Sequence, residues 1–545
     1  MFARVKKSGK YQYLQIVENR KEKGKVRQRV LATIGRMDRL QEKNRVEALI
    51  HSLSRFSEQA MLILTGKSDV TANAVRIGPP MIFERLWCET GIQAAINKAL
   101  AGRKFEFDVE RAVFLTVLHR LMVSGSDRFC EKWQRDYGIT GVESLELHHL
   151  YRAMGFLGGQ LADQSDATVY SPRCVKDQIE EEMFISRRNL FSELEMVFFD
   201  TTSIYFEGGG GATLGKRGFS KDHRPDLKQM VVGVVIDDIG RPICCEMWPG
   251  NTTDVKTLLP VVKRMSKRFG IRQFCVVCDR GMISKDTLQK LDRDKVPYIL
   301  GVRMRNVKEV KSTVLSRGGR YREVHPEGDK AKDPSPLKVK QVLHNDRRYI
   351  VCLNSRQARK DAADREAIIG SLQKELKKGV KSLVGNKGFK RYLKMDTGSA
   401  RIDFDKIKQE ARFDGKWVLT TNTDLSPERV ALKYKELWQV ERVFRDIKSL
   451  VDTRPIFHQC DENIRGHVFC SFLALILRKE LEQRLNSAGH VLEWSNIKQD
   501  LDALQTVTIE EGEKRFAVRS QSQGSCGKIF QAVRVALPPT IREVV

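Results

Sequence analysis

At 545 residues the chain has length for roughly three or four domains with ample cores. No apolar run approaches the roughly 20 residues of a membrane span, and the charged N-terminus MFARVKKSGKYQYLQ carries no secretory apolar segment, so an intracellular protein away from membranes is expected. The 96 Lys and Arg against 69 Asp and Glu give a net charge of +27, which suits a polyanionic partner, nucleic acid before an anionic membrane surface. The eleven cysteines are odd in number and scattered through apolar runs, as expected of reduced, buried thiols. Cys275 and Cys278 form a CxxC, yet they lie in the strand-like run QFCVVCD and face opposite sides, which speaks against zinc.

Taken in order, residues 1–40 read as a small basic strand-rich module, with YQYLQIVENR and VRQRVLATIG joined by the turn KEKGK. Residues 1–50 hold 14 Lys and Arg against 5 Asp and Glu, as fits a phosphate-contacting arm or, equally, a solvated hairpin face. From 41 to 185 the pattern is helical (RVEALIHSLSRFSEQAMLIL, MIFERLWCETGIQAAINKALAG, DVERAVFLTVLHRLMVSG, VKDQIEEEMFISRRN), with no helix-turn-helix standing out; in so basic a chain this helical region is expected to bind DNA ends, which periodicity by itself does not show. Residues 186–305 turn to strand, strand, strand, helix, strand, helix, strand, the order of a ribonuclease H-like sheet, in which the first and fourth strands lie side by side. Residues 306–412, loop-rich at GDKAKDPSPLK, read as an inserted, mostly β domain. The core resumes over 413–485, where Ser426-Pro427-Glu428 opens a long helix, and 486–545 form a weakly patterned tail. The fold class is α/β.

The long helix carries YKELWQVERVFRDIKSLV over 434–451. At about 100° per residue Tyr434, Trp438, Glu441, Arg445 and Lys448 fall within about 60° of one line, beside an apolar stripe of Leu437, Val440, Phe444, Ile447 and Val451 that would dock the helix. Two further acids, Asp200 and Asp279, close the apolar strand runs VFF and CVVC. Three carboxylates in a basic protein invite hard divalent cations, Mg²⁺ or Mn²⁺, and two such ions suit in-line displacement at phosphorus. Asp237-Asp238 reads as a hairpin turn. The glycine run 208–218 fails as a nucleotide loop because Arg217 stands where a Ser or Thr is needed, so no nucleotide cofactor is expected. SKDHRPDLKQ, with Lys221, Arg224 and Lys228, is either a DNA contact beside the site or a charged loop.

These residues resemble the DDE transposases of bacterial insertion sequences, in the branch whose glutamate helix carries Y-x2-R-x3-E-x6-K. Tyr434, Glu441 and Lys448 match that signature, Leu437 stands at its arginine place, and Arg442 or Arg445 would have to replace the missing cation. FFDTTSIYFEG, SKDHRPDLKQMVVGVV, RPICCEMWPGNTTD, VVCDRGM and TRPIFH extend the resemblance over roughly 195–470. It implies a ribonuclease H-like core with an insertion between the second Asp and the Glu, here 162 residues apart. Asp200, Asp279 and Glu441 are then the catalytic, metal-binding triad, and Tyr434 and Lys448 contact the DNA end. Trp438, outside the signature, packs beside the site or stacks on a displaced base. The activity implied is a hydrolytic cut at terminal inverted repeats, followed by attack of the exposed 3′-hydroxyls on target DNA. It needs double-stranded DNA, two metal ions and at least a homodimer on the DNA, in the bacterial cytoplasm at the nucleoid. A stand-alone metal-dependent nuclease and an inactive or domesticated DNA-binding relative are the alternatives.

Overall fold

The structure, a computed structural model, describes residues 2–22, 25–41, 70–168, 171–187, 196–271, 274–324, 337–377, 387–396, 399–449, 456–511 and 514–544. The helix expected over 45–64, Val451 and most of GDKAKDPSPLK lie outside these residues. Strands β1 (Phe2–Ser8), β2 (Tyr11–Glu22) and β3 (Lys25–Arg36) form an antiparallel sheet of their own.

The site rests on a nine-stranded mixed sheet. Its members are β5 (Met196–Tyr205), β6 (Gln229–Asp237), β7 (Pro242–Pro249), β8 (Cys275–Cys278), β9 (Tyr298–Val302), β10 (Arg322–Val324), β11 (Leu337–His344), β12 (Arg347–Asn354) and β15 (Lys416–Thr421). The spatial order is β10-β11-β12-β15-β9-β8-β5-β6-β7. β5, β6 and β7 pair antiparallel, and β8 then joins β5 in parallel, with Phe199 opposite Cys278. The apolar runs are continuous because both faces are covered. Phe198, Ile204, Val277 and Ile299 point into one core; Val197, Phe199, Val276 and Leu300 point into another. The turn after β6 is closed by Asp237, which accepts from the backbone N–H groups of Ile239 (3.1 Å) and Arg241 (2.8 Å).

Helices α1 (Gly78–Glu89), α2 (Val109–Met122), α3 (Leu147–Gly158) and α4 (Val175–Arg187) build the helical layer, and α5 (Leu258–Phe269) and α6 (Lys285–Arg293) cover the second face of the sheet. On the first face lie α7 (Pro427–Lys435), α8 (Trp438–Ser449) and α9 (Asp461–Ser487). α9 is buried nearly all round, as a helix without a polar face must be, and it packs on α2 and α3. Ser426 caps α7, its hydroxyl accepting from Arg429 N–H at 3.2 Å, with Pro427 in the first turn.

Three expectations need correcting. The single helix over 434–451 is two, interrupted at Glu436 and Leu437, so that Tyr434 lies in the last turn of α7 while Glu441 stands in the first turn of α8. The segment 306–412 is not a separate β domain. Its strands β10–β12 extend the main sheet through β12 and β15, and its largest element is the 22-residue helix Ser355–Leu376; only the short pair β13 (Leu393–Asp396) and β14 (Ser399–Ile402) stands apart. The C-terminal stretch is folded. β16 (Gln505–Glu511), β17 (Lys514–Arg519) and β18 (Ile541–Val544) make a four-stranded sheet with β4 (Val70–Arg76), antiparallel to β16.

Candidate active site

The register of β5 and β8 determines where two acids sit. Asp200 follows Phe199, Asp279 follows Cys278, and these two predecessors are paired, so the carboxylates lie on adjoining parallel strands. Asp200 shares the strand face of Phe198 and Ile204, whose core also holds Val440, Val443, Phe444 and Ile447 of α8. Asp279 turns to the same side, where its Oδ1 accepts from the Tyr434 hydroxyl at 3.0 Å. Burial pushes the Asp200 carboxyl up to about 6; the charges of Asp279 and Asp254 add to the rise, while Lys221 and the Thr201 N–H oppose it. Burial and the Asp279 charge likewise raise the Tyr434 phenol, keeping it a proton donor.

Glu441 is exposed on α8, which packs against β5. The three acids do not form a tight ligand set. Among the described residues the one trio of His, Cys, Asp or Glu with ligand atoms all within 4.8 Å is Asp127, His458 and His467. That trio already has its cation: Arg120 Nη2 lies 2.8 Å from His467 Nδ1 and 3.6 Å from Asp127 Oδ1, and His458 Nε2 lies 3.3 Å from Asp127 Oδ2. It reads as a buried ion network joining α2 to α9 rather than a metal centre.

Several cations named from the sequence are engaged within the chain. Lys448 pairs with Asp222 at 2.7 Å, tying α8 to the 220–229 loop. Lys221 Nζ donates to Thr201 O (2.7 Å) and Oγ1 (2.9 Å) and lies 3.2 Å from Asp254 Oδ2. Arg224 pairs with Asp226 at 3.0 Å, Lys228 donates to Gly209 O at 3.1 Å, and Arg442 lies 3.5 Å from Glu482. Arg445 is exposed. Trp438 is 54% exposed and lines a cleft with Ile239, Gly240 and Arg241. Leu437 is buried in the core, where an arginine would bury its charge. Sequence reasoning passed over Asp254, which accepts from Thr201 Oγ1 at 2.7 Å, although it ends the motif GNTTD.

Comparison with protein families matches residues 3–67 to "IS1634 family transposase, N-terminal domain" and residues 192–477, more than half the chain, to "Transposase DDE domain". The chain belongs to the DDE transposases. The matched span of the transposase runs from just before β5 to within α9, enclosing Asp200, Asp279 and Glu441. No curated protein matches it. Among solved structures, the cryo-EM structure of the piggyBac transposase synaptic complex with hairpin DNA is similar at 11% identity and a TM-score of 0.38, over 78% of this chain and 79% of that one. No helix among the transposase's described residues is long and apolar enough to cross a membrane.

Proposed function

We propose that the transposase binds the terminal inverted repeats of its insertion sequence, cuts there by phosphodiester hydrolysis, and joins the 3′-hydroxyl ends to target DNA at one site built from Asp200, Asp279 and Glu441. The observation that carries this reading is the parallel pairing of β5 and β8, with two acids side by side facing the helices of Tyr434 and Glu441. Antiparallel strands followed by parallel β8 also agree with a ribonuclease H-like core.

The donor set suits Mg²⁺ or Mn²⁺. It is all oxygen, and the Asp200 carboxyl, pushed up to about 6 by burial and by its acidic neighbours, is short of positive charge. Asp200 and Asp279 would hold the metal, two ions in all, and Glu441 would complete the set from α8. Bound there, the ions supply charge stabilisation at the reacting phosphate. The Tyr434 hydroxyl orients Asp279 through its hydrogen bond and sits beside the DNA end. Lys448, released from Asp222, Arg442 and Arg445 face the DNA backbone from α8, and Lys221, Arg224 and Lys228 border it from the 220–229 loop. Exposed Trp438 is available to stack on a displaced base. Holding two ends together calls for at least a homodimer on DNA, at the nucleoid of a bacterial cytoplasm.

The test is cleavage of labelled DNA carrying the repeat end, in Mg²⁺, Mn²⁺ or EDTA, by wild type, Asp279→Asn and Glu441→Gln. Cuts at the repeat boundary by wild type with metal, reduced at least a hundredfold in both variants, are expected. Cutting by the variants at the wild-type rate overturns the triad. Cuts at random positions indicate a nuclease without end recognition, and end binding with no cutting by any form indicates an inactive relative.

A further inference from the structure

A cleft of about 820 Å³ opens on the face of the central sheet opposite Tyr434 and Glu441, between α5, α6 and the segment 165–168, with Trp248 in its wall. Lys256, just before α5, and Lys263 and Lys267 on α5 line one side; Lys290 and Arg293 of α6 line the other. All five are exposed. Lys267 donates to Ser165 O at 2.8 Å and Arg293 pairs with Asp294 at 3.1 Å, whereas Lys256, Lys263 and Lys290 have no ion pair among the described residues. The exposed acids of the lining are Asp286 and Asp294, so the cleft carries an excess of positive charge. Lys263 and Lys267 sit one turn apart, where like charges cost a helix a few tenths of a kcal/mol, about 0.2–0.5. Lys267, in the last turn of α5, suits the helix dipole, whereas Lys263, farther from that end, gains nothing from it and has no ion pair among the described residues.

The cleft begins beside the acids. α5 leads into β8 and α6 leaves it, so both helices start at the end of β8 that carries Asp279. There the turn Asp254–Lys256 packs on the turn Arg280–Met282, and a Cβ at Gly281 would lie 3.5 Å from Asp254 Oδ2. From Lys256 to Lys267 the cations span about 16 Å at 1.5 Å per residue, the axial length of about five phosphates of one strand.

We propose that this cleft seats the sugar-phosphate backbone of target DNA, the duplex that receives the cut ends; the proposal rests on the reading given under Proposed function. The acids turn toward the face that holds Tyr434 and Lys448, the groups assigned to the donor end, so the target backbone would cross the end of β8 beside Asp279 and continue along this cleft, clear of the donor end. Flexible lysines contact phosphates as point charges without reading bases, which suits a duplex of varied sequence.

The experiment compares wild type with Lys256→Ala/Lys263→Ala/Lys290→Ala, three exposed positions whose loss leaves the fold intact. Binding of the full chain to a duplex without repeats, measured in EDTA against salt, should lose about 2–3 from its log–log salt slope, at about 0.9 per phosphate contact. Strand transfer into a plasmid should fall at least tenfold, while cleavage of the repeat end keeps its rate. An unchanged salt slope overturns the proposal, as does a loss of end cleavage equal to the loss of strand transfer, which would assign the cleft to the donor end. If wild type cuts no repeat end, the reading under Proposed function fails, and the salt slope alone still decides whether the cleft binds DNA.

Discussion

Asp200 has the sharpest physical signature in the site, because its carboxyl is pushed up to about 6 by burial and by neighbouring acids, against about 3.9 in an unfolded chain. Between those values the metal-free fold holds a proton that the unfolded chain has released, so this residue makes stability fall as pH rises from about 4 through about 6. Asp200→Asn removes the titration and leaves every other group in place. Denaturant midpoints in EDTA should therefore move in favour of Asp200→Asn as pH climbs from 4 to 7, and Mg²⁺ at pH 7 should raise wild type more than the variant. A difference between the two proteins that does not change with pH would refute the perturbed carboxyl. That Asp200 and Asp279 stand side by side was legible in the sequence, because each ends an apolar run and the strand order sets the first beside the fourth. That Asp254 sits near enough to raise Asp200 was not, since their contact through Thr201 joins residues on separate elements.

At the scale of elements, periodicity found the strands and the apolar stripe of α8, because both depend on burial of neighbouring residues. It missed the interruption at Glu436 and Leu437, where neither Gly nor Pro marks a stop; Leu437 is held by the core, which dictates the bend. It also missed the close crossing of α3 and α9. A Cβ at Gly466 would lie 2.0 Å from Met154 O, and one at Gly158 would lie 1.9 Å from Glu462 O, so each helix brings a glycine to the other's backbone. Neither backbone can yield without parting the helices. Gly466→Ala should cost about 2–4 kcal/mol, in the range of overpacked cores or above it, although alanine favours helix elsewhere. Thermal or urea unfolding of the full chain checks this, and a variant as stable as wild type would mean the crossing is looser than described.

For the whole molecule, the family span 192–477 holds all three acids but not all the elements its own helices pack on. α9 lies largely inside that span and packs there on β7 and α8, yet most of its packing is on α2 and α3, which precede the span, with the helix Cys526–Val533, which follows it, adding more. The C-terminal strands reach back in turn to β4, through a β16–β4 register that pairs Gln505 with Arg76 and Glu511 with Val70. Such distant pairings leave no trace in local sequence pattern, which is why 486–545 read as a tail. Cut out alone, residues 192–485 would expose Val468, Phe469, Phe472, Leu473 and Ile476, each buried to within about 2% in the full chain. At about 1.5–3 kcal/mol for each fully buried side chain the loss is about 8–15 kcal/mol, as large as the roughly 5–15 kcal/mol by which folded proteins are stable. The fragment should therefore aggregate or unfold without a cooperative transition, while the full chain melts cooperatively. Co-expression with residues 70–187 and 486–545 should recover soluble protein, since those pieces supply the missing faces. A fragment that melts cooperatively by itself would show that α9 closes its core without the flanking regions.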